Sequence, residues 1–123
     1  MAVSILKQRD YLIATIQAAL EDRGLSELQR ALVEDVGRFR SRGVIVDVTG
    51  LDVIDSFGTR TLRDLAHAVR LRGAETVIVG IQPAVAFAMV QLGLPLVGVA
   101  TALDLEEGLA FLDTMLESKK RPH

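Results

Sequence analysis

Three carboxylates and one serine crowd the stretch "DVTGLDVIDSFGTRTL", Asp47 through Leu62. Asp47 interrupts an apolar run near its end, Asp52 and Asp55 bracket Val53 and Ile54, and Ser56 comes just before a helical pattern. A serine so placed can attack as a nucleophile, cap a helix, or accept a phosphoryl group. Nucleophilic attack needs a base beside the hydroxyl. The only histidines are His67, within a helical stretch, and His123 at the terminus. Asp55-Ser56-Phe57-Gly58 also lacks the glycine spacing of a nucleophile elbow. "GLDVIDSFG" has neither a Walker lysine nor a dinucleotide-type pattern. Asp47 at a strand end would suit a phosphoacceptor aspartate, but that chemistry wants further acids at the end of the first strand, which here reads "VSILK". No His/Asp/Glu cluster has ligand spacing. The residue inventory therefore predicts no catalytic residue, no metal and no cofactor: the chain is not expected to be an enzyme.

Two roles remain for Ser56. Serine is among the commonest helix caps. As a phosphorylation target it would follow the carboxyl end of a parallel strand, the edge where α/β sheets place ligands and partners. A phosphate there would meet the free amides of a helix start. It would also add a charge of about −1.5 to −2 beside Asp52 and Asp55. Those two carboxylates serve equally well as complements to the helix dipole. His67 reads as a residue of a solvated helix face, and Lys119, Lys120 and Arg121 as a solubilising tail.

Stepwise patterning supplies the elements that hold this stretch. Val3–Lys7 and Tyr11–Ile16 read as a hairpin. A helix opens near Asp22 or Ser26, where "SELQ" has capping-box spacing from Ser26 to Gln29. Its stripe is Leu25, Leu28, Leu32, Val36 and Phe39, and Gly43 ends it. Val44–Val48 is a strand, and Ser56 to Arg72 a helix with Leu62, Leu65, Ala66 and Val69 inward. Thr76–Ile81 is a strand, Pro83 to Gly93 a helix, Leu96–Val99 a last strand. A final helix begins at Thr101 or Asp104, with Leu105, Leu109, Leu112 and Leu116 inward. Strands separated by helices pair in parallel through right-handed crossovers. The expected fold is a single α/β domain over residues 1–117, a small mixed sheet with about four helices, and a polar tail over 118–123.

Bulk properties agree. The chain has 123 residues, 50% hydrophobic and 4% aromatic, so its core must be aliphatic. A net charge of −2 argues against a nucleic-acid binder. Absence of cysteine rules out disulfides and suits a reducing, cytoplasmic setting. The N-terminus lacks the apolar centre of a signal peptide. Pro83 to Leu103 carries no charge, long enough for a membrane span. Gly93 and Pro95 punctuate its middle, so it reads as a helix ending and a buried strand beginning, and no membrane association is expected.

The order of elements, with "VIVDVTGLDVIDSFGTRTL" at its centre, resembles the STAS domain of bacterial anti-sigma-factor antagonists. The likeness covers nearly the whole chain, and "VIVGIQPAVAFAMVQLGL" is similar to the family's next strand and helix. "DSFGTR" resembles the stressosome antagonist (RsbS) type more than the sporulation type, which carries a second serine where Phe57 stands. Co-antagonists of the RsbR type have a threonine at the Ser56 position and an added sensory domain, for which this chain is too short. The resemblance implies a non-enzymatic scaffold that binds an RsbT-like serine protein kinase and releases it on phosphorylation. Ser56 matches the phosphorylated serine. Asp47, Asp52, Asp55 and Phe57 would support partner binding. It further implies assembly with RsbR-like paralogues, a serine phosphatase for reset, and a stress-signalling output. Two alternatives stay open: an antagonist that binds an anti-sigma kinase directly, and a module for a small ligand such as a nucleotide or lipid.

Overall fold

The computed structural model of the chain describes residues 3–18, 21–93, 96 and 98–120. In chain order the elements are β1 (Val3–Gln8), β2 (Tyr11–Ile16), α1 (Asp22–Phe39), β3 (Gly43–Asp47), α2 (Ser56–Leu71), β4 (Glu75–Val79), α3 (Pro83–Gln91), β5 (Ala100–Ala102) and α4 (Leu105–Lys120). They form one five-stranded sheet whose spatial order, β1-β2-β3-β4-β5, repeats the chain order. The β1–β2 hairpin is antiparallel, with Leu6 opposite Ile13, and the other three pairings are parallel. The expected mixed α/β sheet is thus present.

Alternation along each strand sends side chains to two cores. Val44, Val46 and Ile78 face a layer built by Leu28, Leu32 and Val36 of α1, Leu62, Leu65 and Val69 of α2, and Val85 and Met89 of α3. Ile45, Val77 and Val79 face the other way, onto Leu112 and Leu116 of α4. Three helices cover one face and α4 alone serves the opposite one. Both faces of β3 and β4 are therefore buried, which is why their sequences are continuously apolar. Each fully buried aliphatic side chain contributes about 1.5–3 kcal/mol, and α2 is held to the sheet by such residues on one side only.

Several boundaries differ from the sequence expectation, each for a local reason. Helix α1 opens at Asp22 after Glu21 in an extended conformation, so Ser26 lies inside it and forms no capping box. It stops not at Gly43 but at Arg40, which turns left-handed (φ 51°) while the Ser41 amide reaches back to the Val36 carbonyl at 3.0 Å. That turn leaves Phe39 partly exposed, outside the buried stripe. The last strand is Ala100–Ala102 rather than Leu96–Val99. The Val99 amide bonds back to the Leu96 carbonyl and Gly98 takes φ 77°, so a turn occupies the apolar run; Leu94, Pro95 and Val97 lie outside the described residues. Helix α4 starts after Asp104, whose carboxylate accepts from the Glu107 amide at 2.9 Å, while Glu107 accepts from the Leu103 amide at 3.1 Å. It runs to Lys120, taking in the first three residues of the expected tail, and 121–123 lie outside the described residues.

Candidate functional site

The parallel strands β2 to β5 end along one edge, and the loop from β3 to α2 lies across it. Asp47, half-buried at the end of β3, accepts a hydrogen bond from the Thr49 amide at 2.9 Å. Such a side-chain turn reverses the backbone as the ladder stops. The Val48 amide still donates to the Val79 carbonyl at 3.0 Å, so the loop leaves from a fixed point on β4. Two glycines then allow close approach. A Cβ on Gly50 would fall 2.6 Å from the Gln17 carbonyl oxygen beyond β2. One on Gly80, already at φ 77°, would fall 2.0 Å from the Thr49 hydroxyl. The Gln82 amide nitrogen closes the clamp by donating to the Thr49 carbonyl at 2.5 Å. Leu51 is buried below. The loop is thus packed closely against the residue after β2 and bonded to β4 and to the segment after β4 before it reaches the serine.

Beyond Leu51 the chain surfaces. Asp52 and Asp55 are exposed, as is Val53, while Ile54 is half-buried. Asp55 is the N-cap of α2: its backbone is extended and its carboxylate accepts from the Gly58 amide at 2.7 Å. Asp55, not Ser56, therefore caps the helix, which corrects the capping role open to the serine. Ser56 is the first helical residue and half-buried. Among the described residues its hydroxyl has no hydrogen-bond partner. The neighbouring hydroxyls are committed: Thr59 donates to the Asp55 carbonyl at 3.1 Å and Thr61 to the Phe57 carbonyl at 2.8 Å, and both residues are buried. Phe57 presents part of its ring to solvent. Beside Asp55 a cleft of about 190 Å³ is walled by Ile16, Leu25, Leu51, Val53, Ile54 and Leu62.

Of the residues singled out from sequence, Asp52, Asp55, Ser56 and Phe57 thus share one surface, and Asp47 sits behind them shaping the loop. Sequence reasoning missed the clamp of Thr49, Gly50, Gly80 and Gln82. The available signal was a glycine close behind each strand end, Gly50 three residues after β3 and Gly80 directly after β4.

The model of one family, the STAS domain, matches residues 2–108. The chain belongs to the STAS domain family. Its relatives sharpen the comparison. The STAS chain is 33% identical over 109 residues to the RsbT co-antagonist protein RsbRA of Bacillus subtilis (strain 168), a match covering 89% of this chain and 39% of that protein. It therefore spans about two fifths of the length of this curated relative. Among solved structures, a serine-to-glutamate variant of RsbS from Moorella thermoacetica superimposes with a TM-score of 0.82 at 33% identity, covering 95% of this chain and 99% of that one. A chain from the stressosome, described as a signal integration and transduction hub, gives 0.74 at 34% identity, covering 92% and 98%. The likeness to RsbS-type stressosome antagonists, read first from "DSFGTR", extends over the whole STAS fold.

Proposed function

We propose that this STAS domain is a phosphorylatable antagonist: unmodified, it binds and sequesters an RsbT-like serine protein kinase, and phosphorylation of Ser56 releases that kinase. The observation that carries the reading is the hydroxyl of Ser56. It stands in the first turn of α2 at the carboxyl edge of the sheet, with Asp55 doing the capping and the nearby threonine hydroxyls bonded inward. The domain acts as a substrate and scaffold and has no turnover of its own. A partner docks over Phe57, Val53 and the half-buried Ile54, meeting at Ser56 itself only a neutral hydroxyl. Phosphate adds up to two negative charges beside Asp55 and Asp52, and burying unpaired charge costs several kcal/mol. That is enough to move a micromolar complex out of its working range. A serine phosphatase resets the switch.

The same reading includes co-assembly with RsbR-like STAS paralogues or further copies. Helix α3 supports it: the helix is apolar nearly all round, yet Phe87 and Val90 are 68% and 72% exposed. A helix of that composition is normally covered on all sides. A small-ligand role for the site at the α2 start is the weaker reading, since the cleft beside Asp55, at about 190 Å³, is below the roughly 300–1,000 Å³ of ordinary small-molecule sites.

The deciding experiment is incubation with the cognate kinase and ATP followed by mass spectrometry. Phosphate is expected on Ser56 and not on Thr59 or Thr61. Ser56→Ala should retain the kinase in pull-down and fail to release it. Full phosphorylation of Ser56→Ala would overturn the assignment.

A further inference from the structure

Phosphate on the first residue of α2 meets an immediate conflict. Asp55 already holds the Gly58 amide with its carboxylate, 2.7 Å away, and Asp52 lies in the same exposed loop. A dianion at Ser56 would repel both, and repulsion of Asp55 would loosen the cap that starts the helix. The free amides of the helix start offset part of this repulsion, and a cation on the helix flank would offset more of it. The first turn of α2 holds no acid of its own, so the charge would be unbalanced only on the loop side.

Along the helix, Arg60 follows Ser56 by four residues. Side chains at i and i+4 on a helix are neighbours, with Cβ atoms about 5–6 Å apart, and an anion preceding a cation at this spacing is the favourable orientation. Arg60 is exposed and, among the described residues, has no ion-pair partner. The next cation on the helix, Arg63, is already engaged with Asp64 at 3.5 Å and stands nearly two turns away. Arg70, further on, contacts Glu75 at 3.7 Å and the Gly98 carbonyl at 3.1 Å. In α1, Arg23 is taken by Glu27 at 3.3 Å. A guanidinium is planar and always charged, and it meets phosphate oxygens with two parallel N–H groups.

We propose that Arg60 is the internal receiver of a phosphoryl group on Ser56, a positioning residue that turns the phosphate along the helix and away from Asp55. This rests on Ser56 being the modified residue. The consequence is a modified state that is ordered: the phosphate is held on the helix flank, the Asp55 cap stays closed, and an approaching partner meets a fixed anion. In the unmodified state Arg60 has nothing to receive, so its replacement leaves the fold as it was.

Phosphoserine installed at position 56 during translation allows the test on the full chain without any kinase. Phosphorus NMR titration of this protein reports the second ionisation of the phosphate. With Arg60 present it is expected about 0.3 pH unit lower than in the Arg60→Gln form, because the cation favours the dianion. Arg60→Lys should restore part of the difference, and Arg63→Gln should leave the titration unchanged. The Gly58 amide resonance should shift little on phosphorylation of the parent chain and clearly more in Arg60→Gln, as the cap opens. Superimposable titrations for Arg60 and Arg60→Gln would overturn the proposal while leaving Ser56 as the switch. Failure of the kinase to modify Ser56, scored by mass spectrometry, would instead remove the switch and with it the setting in which Arg60 acts.

Discussion

Taking away the Asp55 carboxylate strips the Gly58 amide of its acceptor and the positive end of α2 of its anion. Loss of such a cap costs about 1 kcal/mol. Asp55→Ala is therefore expected to lower the urea midpoint by that stability, while Asp55→Asn, which still accepts the bond, recovers most of it. Ser56→Ala should unfold within about 0.5 kcal/mol of the parent, because the hydroxyl it removes makes no hydrogen bond among the described residues. The reverse ranking would return the cap to the serine. At the other end of the sheet, the single tyrosine of the chain donates to Asp113 at 2.5 Å, with Arg9 at 3.8 Å from the same carboxylate. Burial, then the hydrogen bond and charge of Asp113, push the Tyr11 hydroxyl up to about 12 from its ordinary 10.0. A proton held more tightly in the folded state stabilises the fold fully below pH 10, and that contribution is lost as pH rises from 10 toward 12. Absorbance titration near 295 nm should show tyrosinate forming late. Asp113→Asn should move it earlier, and Tyr11→Phe should flatten the alkaline loss of stability over that window.

Among the elements, α4 has the simplest attachment. It meets its face of the sheet through Leu112 and Leu116, supported by the partly buried Leu105 and Leu109. Leu112 is fully buried, so Leu112→Ala should cost about 2–5 kcal/mol. Hydrogen exchange should quicken first in α4, with the amides around Asp55 and Gly58 protected as before, because they lie against the other core. Uniform loss of protection would mean the two cores open together. Element types were legible wherever period and burial agreed: the Leu62, Leu65, Val69 stripe of α2 and the unbroken Val44–Val46 run allow one reading each. Ends were less legible, since they depend on backbone turns. Arg40 adopts a left-handed conformation that glycine would have advertised, and the Leu96–Val99 run looks like a strand although Gly98 bends it. At the site, Ser56 and its acidic neighbours were visible from residue type. The division of labour was not: both Asp55 and Ser56 are good caps, and only backbone position decides which of them is the extended residue before the helix. The Thr49–Gln82 bond spans 33 residues, and no local pattern encodes it.

Across the whole molecule, the uncharged segment from α3 onward leaves Phe87, Val90 and Leu92 at the surface, 68%, 72% and 44% exposed. If this face meets a second STAS domain, Phe87→Glu should reduce association with an RsbR-like paralogue in sedimentation velocity by tenfold or more, with far-ultraviolet circular dichroism unchanged. Association undiminished by that charge would place the contact elsewhere. A different consequence follows from the strand order, which repeats the chain order from β1 to β5. During synthesis, every strand after β1 finds its hydrogen-bonding neighbour already waiting as the open edge of the sheet. No partner has to be awaited from further downstream, and α1, α2 and α3 each arrive between the two strands they bridge. Only α4 comes after the face it covers, so the nascent domain passes through a stage with Ile45, Val77 and Val79 uncovered. Arrest-peptide force measurements should register one pulling event as β4 emerges and a separate, later one as Leu112 clears the exit tunnel.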